Sequence, residues 1–288
     1  MSDATGGEIL LKLETVQPTF SYKIRGAFNA VLALVEQSGR DVPPLVTASA
    51  GNHGRALAHA AQAARLPVTV YVPADAPRTK IDAILRAGAH LKTCGSYDEA
   101  EAEAKRHAAT GNALFLSPYS HPDVIAGAGT IGLEILEDRP DVDTIVVPVG
   151  GGGLVSGIAI AVKALSATMV VGVEVAASSP FTHSLAAGRI VTIDVQQTLA
   201  DGLSGNLDPD TITFDIVRRL VDRVAVVNEP QLRQAIAGLL REERLVAEGA
   251  GATAVAAVLG GAIDCAGHRT AVIVSGANID METLRSFI

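Results

Sequence analysis

Cysteine is scarce in this chain: it occurs only as Cys94 and Cys265, and neither stands in a CxxC or Cys/His ligand spacing. That excludes a disulfide framework and argues against a zinc site, so two buried free thiols are expected. There is no block of lysine and arginine, and the formal net charge is −8, so no electrostatic footprint for nucleic acid exists and no nucleic-acid partner is expected. No long uninterrupted apolar run occurs either. The most apolar stretch, 154–177, is broken by Lys163 and Glu174 and changes from a helix-like to a β-branched half. It reads as a buried helix followed by a buried strand, not as a membrane span. The opening MSDATGGEILLKLE lacks the basic region and apolar run of a signal peptide, so a cytoplasmic location is expected. A repeat of solenoid period and a low-complexity linker are also missing.

What is present is ample for a folded enzyme: 288 residues, 48% of them hydrophobic, enough for one large unit or two lobes. Strand-like runs are predicted at 45–47, 68–72, 91–93, 113–116, 144–149, 169–175, 223–227 and 270–274. Between them, alanine-rich helices are predicted at 26–37, 53–64, 79–87, 97–109, 129–136, 154–164, 229–243 and 252–259. The alternation argues for an α/β fold with two open parallel sheets covered by helices on both faces. Residues 44–119 form a βαβαβαβ block, expected as a small inserted domain. Residues 1–43 and 120–288 would then make a discontinuous large domain, with a small-molecule ligand in the crevice between the two lobes.

Three segments carry chemistry. Lys23 stands in Ser21-Tyr22-Lys23-Ile24-Arg25-Gly26, and a lysine amine can condense with an aldehyde cofactor. Gly150, Gly151, Gly152, Gly153 and Leu154 follow a strand signal and precede a helix signal. Bare backbone amides there would point at a phosphate in the positive end of the helix dipole. The third segment is Ser49-Ala50-Gly51-Asn52-His53-Gly54. Each has a plainer reading: an exposed lysine, a packing turn, a Ser or Asn helix cap, a structural histidine. A nicotinamide dinucleotide is the rival ligand, since Glu174 lies at a workable distance beyond the glycines for a ribose-binding acid. The order and spacing of all three segments favour pyridoxal phosphate.

In chain order, KLETVQPTFSYKIRGA, TASAGNHGRALAHAA, VIAGAGTIGLEIL, PVGGGGLVSGIA, ADGL, EGAGA and VSGAN resemble the fold-type II pyridoxal phosphate enzymes. They are nearest the serine/threonine dehydratase and serine racemase group, and the resemblance runs from about Leu10 to the end. It implies a tryptophan synthase β-like architecture with pyridoxal 5′-phosphate in the cleft. Lys23 would bond the cofactor and act as catalytic base, Asn52 would hydrogen-bond the ring 3′-oxygen, and Gly150 to Leu154 would hold the phosphate. The loop of Ser49, Ala50, Gly51, Asn52 and His53 would receive the substrate carboxylate. Ser275, in VSGAN, would face the pyridine nitrogen, where a neutral hydroxyl makes the ring a weaker electron sink and favours prompt elimination. The implied reaction is β-elimination of L-threonine, L-serine or a related 3-hydroxy amino acid to a 2-oxo acid and ammonia, by a homo-oligomer, a dimer or tetramer. A cofactor-binding paralogue without turnover is the second reading, and a serine racemase the third.

Departures from the family pattern refine this. Cysteine-synthase-like relatives carry an acidic residue after the lysine and a TSGNTG loop, so a dehydratase or racemase is preferred. Racemases place a serine immediately before GNH, where this chain has Ala50, so elimination is expected to dominate. Their divalent-cation site uses a glutamate, a carbonyl and an aspartate. Glu174 matches the first but Pro180 replaces the last, so Glu174 is a lone candidate and no metal is expected. Phe20 stands where glycine is usual, and Ala128 where glutamine is. The chain begins almost at the LKLE strand, which is expected to expose the cleft or a core edge, and it stops soon after VSGANID, so feedback by isoleucine is not expected.

Overall fold

A computed structural model describes residues 1–39 and 41–287. Its strands are β1 (Glu8–Leu13), β2 (Leu45–Ala48), β3 (Val68–Pro73), β4 (His90–Cys94), β5 (Leu114–Phe115), β6 (Thr144–Pro148), β7 (Met169–Val175), β8 (Arg223–Val227) and β9 (Arg269–Val274). The chain divides into two compact units, one of Met1–Tyr22 with Ala128–Ile288 and the other of Lys23–Gly127. The block expected at 44–119 thus lies inside a longer unit, because the helix Lys23–Ser38 packs with the helix Asn52–Ala64 in a shared core.

The first unit holds a five-stranded sheet in the order β1-β9-β6-β7-β8, and every pairing is parallel. A parallel sheet covered on both faces buries every side chain of its central strands, which is why β6 and β9 are continuous apolar runs. Successive residues serve opposite faces. Val146, Val272 and Val274 join the core under the helices Glu229–Arg241 and Gly249–Leu259, while Ile145, Val147, Ala271 and Ile273 join the core under the helix Gly153–Leu165. The second unit repeats the plan with four parallel strands in the order β4-β3-β2-β5. Leu45 packs under the 23–38 and 52–64 helices, and Val46 and Ala48 pack under the helix Tyr97–His107.

Strand β1 is expected only through the resemblance of LKLE and not from periodicity, and its run EILLKL shows no clean alternation because Glu8 is exposed and the rest only partly buried. The helix Pro122–Asp138 starts seven residues earlier than the predicted 129, since proline is tolerated in a first turn. The short helices Pro180–Ala187, Thr213–Leu220 and Met281–Arg285 were also not predicted. The apolar stretch 154–177 is a helix ending at Leu165 and then β7. Among the described residues no helix is long and apolar enough to cross a membrane. Cys265 is buried and Cys94 only partly so, and both are free thiols.

Candidate active site

In each unit the chemistry-bearing residues follow the carboxyl ends of parallel strands, the side on which open α/β sheets bind ligands. In the first unit, β6 runs into Gly150–Gly153 and then the helix Gly153–Leu165. Gly152 caps that helix with φ +85°, a left-handed conformation, and a Cβ on it would lie 2.5 Å from Phe181 Cζ. Only glycine fits this position. The Gly151 carbonyl accepts the Thr213 hydroxyl at 2.8 Å, which is itself 2.8 Å from Thr211 Oγ1. No side chain caps the helix, so its first amides stay available to an anion at the positive end of the dipole. Leu154 is buried behind the turn.

Ser275 follows β9 directly and is buried. Its carbonyl accepts the Tyr22 amide at 3.0 Å, Ser21 bridges Gly276, the Ala277 amide donates to the Phe20 carbonyl at 2.9 Å, and Asn278 Nδ2 donates to the Thr19 carbonyl at 2.9 Å. The residues leading to Lys23 are therefore laced to the residues beyond β9. Phe20 sits at φ +57° with half its surface exposed, a backbone region that favours glycine. This is the structural meaning of its departure from the glycine usual there.

Glu174, on β7, is fully buried, and its carboxylate is committed within the protein. Oε1 accepts the Phe181 amide at 2.8 Å, and Oε2 accepts the Thr182 amide at 2.8 Å and the Thr182 hydroxyl at 2.6 Å. Burial pushes its pKa up while the three donors pull it down, burial being the larger effect. Glu174 thus holds the start of the helix Pro180–Ala187, which carries Phe181 against Gly152. Either other reading of this residue, ribose acid or cation ligand, would have to share oxygens that already accept these three donors. Among the described residues no group of three or more His, Cys, Asp or Glu side chains could hold a metal ion.

In the second unit, Lys23 opens the helix Lys23–Ser38, and its Nζ donates to the Pro118 carbonyl at 2.7 Å. Ser49, Ala50 and Gly51 follow β2. The Ser49 amide donates to the Tyr71 carbonyl at 3.1 Å, and the Gly51 amide to Ser49 Oγ at 3.3 Å. Gly51, not Asn52, is the cap of the helix Asn52–Ala64, and no side chain caps that helix either. His53 is buried, with Nε2 3.2 Å from the Leu116 carbonyl. Burial first, and the charge of Lys23 second, depress its pKa to about 3, so the ring is neutral and cannot exchange a proton with substrate near neutral pH. Sequence reasoning missed the Leu116–Pro118 segment, Thr213 and Phe181. The first acts through backbone carbonyls, which leave no signal in side-chain identity.

Each unit is a parallel α/β sheet with a glycine-opened helix, and one of them carries a lysine at a helix start; these are features that an aldehyde cofactor with a phosphate would use. The chain belongs to the family of pyridoxal-phosphate dependent enzymes, whose model matches residues 1–276. It is 43% identical over 290 residues to an L-threonine ammonia-lyase of Thermotoga maritima, covering 100% of this chain and 71% of that protein. It is 39% identical over 288 residues to the catabolic L-threonine dehydratase of Escherichia coli K12, covering 97% of this chain and 85% of the relative. Among solved structures, maize serine racemase superposes with a TM-score of 0.92 at 33% identity, covering 99% of this chain and 88% of that one. Pyridoxal phosphate is the cofactor, and the residues present fit it: an uncapped glycine turn suited to a phosphate, and a lysine side chain whose Nζ donates to the Pro118 carbonyl.

Proposed function

We propose that this enzyme is an ammonia-lyase that converts a 3-hydroxy amino acid, L-threonine, L-serine or a close analogue, to a 2-oxo acid and ammonia. In this reading Gly150 to Leu154 hold the cofactor phosphate, Asn52 the ring 3′-oxygen and Ser275 the ring nitrogen, and the loop from Ser49 to His53 seats the substrate carboxylate. When bound, pyridoxal phosphate draws electrons away from the substrate Cα. Lys23 accepts the Cα proton at Nζ, the Cβ–O bond breaks as the hydroxyl takes up a proton and leaves as water, and the released enamine tautomerises to an imine that one water hydrolyses to the 2-oxo acid and ammonia.

The observation that carries elimination over racemisation is Ala50. The carboxylate loop presents a methyl where a racemase needs a second acid/base group, and the His53 ring beside it stays neutral to about pH 3. The similarity to threonine ammonia-lyases and dehydratases supports the same reading. A cytoplasmic location and a homo-oligomeric assembly belong to it as well, and fractionation and sedimentation check them.

The test is a panel of L-threonine, L-serine and other 3-hydroxy amino acids given to the purified protein, with 2-oxo acid, ammonia and D-amino acid all measured. Equimolar 2-oxo acid and ammonia from at least one substrate is the expected result. Cofactor absorbance with no product across the panel would mark a binding paralogue, and accumulation of D-amino acid ahead of 2-oxo acid a racemase.

A further inference from the structure

The Leu116 carbonyl, at the end of β5, is held twice. Thr47 Oγ1 on β2 donates to it at 2.8 Å, and His53 Nε2 lies 3.2 Å away. All three residues are buried. A carbonyl only accepts, so the ring hydrogen sits on Nε2 and Nδ1 is left as a lone-pair acceptor. That Nδ1 is buried with no hydrogen-bond partner in the structure. A histidine serving only as core filling would be replaced without loss by an apolar side chain that leaves no bare nitrogen. What the ring provides is its grip on Leu116.

Two residues further on, the Pro118 carbonyl accepts Lys23 Nζ at 2.7 Å. Between them, Ser117 Oγ accepts the Ser120 amide at 3.0 Å and the Tyr119 amide at 3.5 Å, folding the segment into a turn. The path from the buried clamp to the lysine is therefore continuous covalent backbone. Pro118 also suits the amine chemically. Its carbonyl accepts one N–H of the lysine, and proline offers no competing N–H.

We propose that Thr47 and His53 are positioning residues for Lys23: by jointly clamping the Leu116 carbonyl they fix the Leu116–Ser120 turn, and the Pro118 carbonyl then holds Lys23 Nζ in place whenever it is not bonded to the cofactor. The proposal rests on the reading of Lys23 as the cofactor lysine and catalytic base. It assigns no proton transfer to His53.

The test uses Thr47→Val, nearly isosteric, and His53→Phe, an apolar but somewhat larger ring, which remove the donors, with Thr47→Ser and His53→Gln as conservative partners that can still donate. Two readouts are taken: amide hydrogen exchange of Tyr119 and Ser120 in the cofactor-free protein, and kcat against KM in the loaded enzyme. Each disruptive variant is expected to speed exchange at these two amides and to lower kcat about tenfold with KM within twofold, since a small misplacement of a reacting group is costly. Thr47→Ser and His53→Gln are expected to recover most of both. Faster exchange with unchanged kcat would overturn the proposal by making the clamp merely structural, and a fall in kcat with unchanged exchange would overturn the route through the turn. Should His53→Phe fail to fold, the Thr47 pair alone decides, because Thr47→Val is nearly isosteric. Borohydride trapping with peptide mapping separates the two failures: label on a lysine other than Lys23 sinks the reading of the site, whereas label on Lys23 with wild-type exchange and kcat in the variants sinks the clamp alone.

Discussion

Within the first unit, two helices begin in opposite ways. The helix Glu229–Arg241 opens with a complete capping box, in which Asn228 Oδ1 accepts the Gln231 amide and Gln231 Oε1 accepts the Asn228 amide. The helix Gly153–Leu165 opens on Gly152 with no side-chain cap. The second unit shows the same contrast, Ser96 capping the helix Tyr97–His107 through the Glu99 amide and Gly51 standing bare before the helix Asn52–Ala64. A side-chain cap satisfies the first-turn amides within the protein and closes that end to ligands, whereas glycine leaves the amides exposed and lets an anion approach the backbone. In both units the glycine-opened helix follows the carboxyl end of a central strand, β6 or β2. In these two pairs the helix end assigned to hold the fold carries a side-chain cap and the end assigned to hold a ligand does not.

The sharpest way to break this contrast is Gly152→Ala. The new Cβ meets the Phe181 ring at 2.5 Å in a left-handed backbone conformation. Left-handed strain costs ~1–2 kcal/mol and overpacking another ~1–3 kcal/mol. Denaturant unfolding of the cofactor-free protein should show a loss of that combined order, and titration with pyridoxal phosphate should show affinity lost beyond what instability explains. A variant that folds and binds cofactor like the parent would remove the phosphate assignment from this turn.

Asn228→Ala probes the other kind of helix start. Losing the cap should cost ~1 kcal/mol of stability, because a first-turn donor loses its partner. Cofactor affinity and KM should both be unchanged. The pair of variants therefore separates stability from binding: the glycine change strikes both and the cap change only the first. A drop in cofactor affinity in Asn228→Ala at full folding would mean that the capped helix also serves the ligand.

How much of this was legible beforehand depends on what kind of atom does the work. Strands β6 and β7 could be read because parallel strands buried on both faces need unbroken apolar runs, whereas β1, whose half-exposed EILLKL mixes both signals, was legible only through the resemblance of LKLE. The helix Pro180–Ala187 was invisible because eight residues give too little periodicity and its start is held by Glu174 from an earlier strand. Lys23 and the four glycines were legible through residue type in family order, and Phe20 through its departure from glycine, although its positive φ appeared only in the fold. The clamp at Leu116 and the anchor at Pro118 are carbonyls, which every residue possesses. Sequence patterns carry information about side chains, so a device built from main-chain acceptors has to be found in coordinates.

The smallest structural perturbation tests the second unit's half of the contrast. Gly51 has φ −101°, and a Cβ placed on it meets no heavy atom within 4 Å. Gly51→Ala should therefore leave stability within ~0.5 kcal/mol of the parent, as for a substitution that creates neither clash nor strain. Its methyl would stand on the loop proposed to seat the substrate carboxylate, in the space an approaching anion would need, so KM for the amino acid should rise several-fold while cofactor affinity holds. An unchanged KM in a fully folded variant would show that this bare helix start is open for some reason other than the substrate. Because the position is neither strained nor crowded, no folding defect could be mistaken for that result.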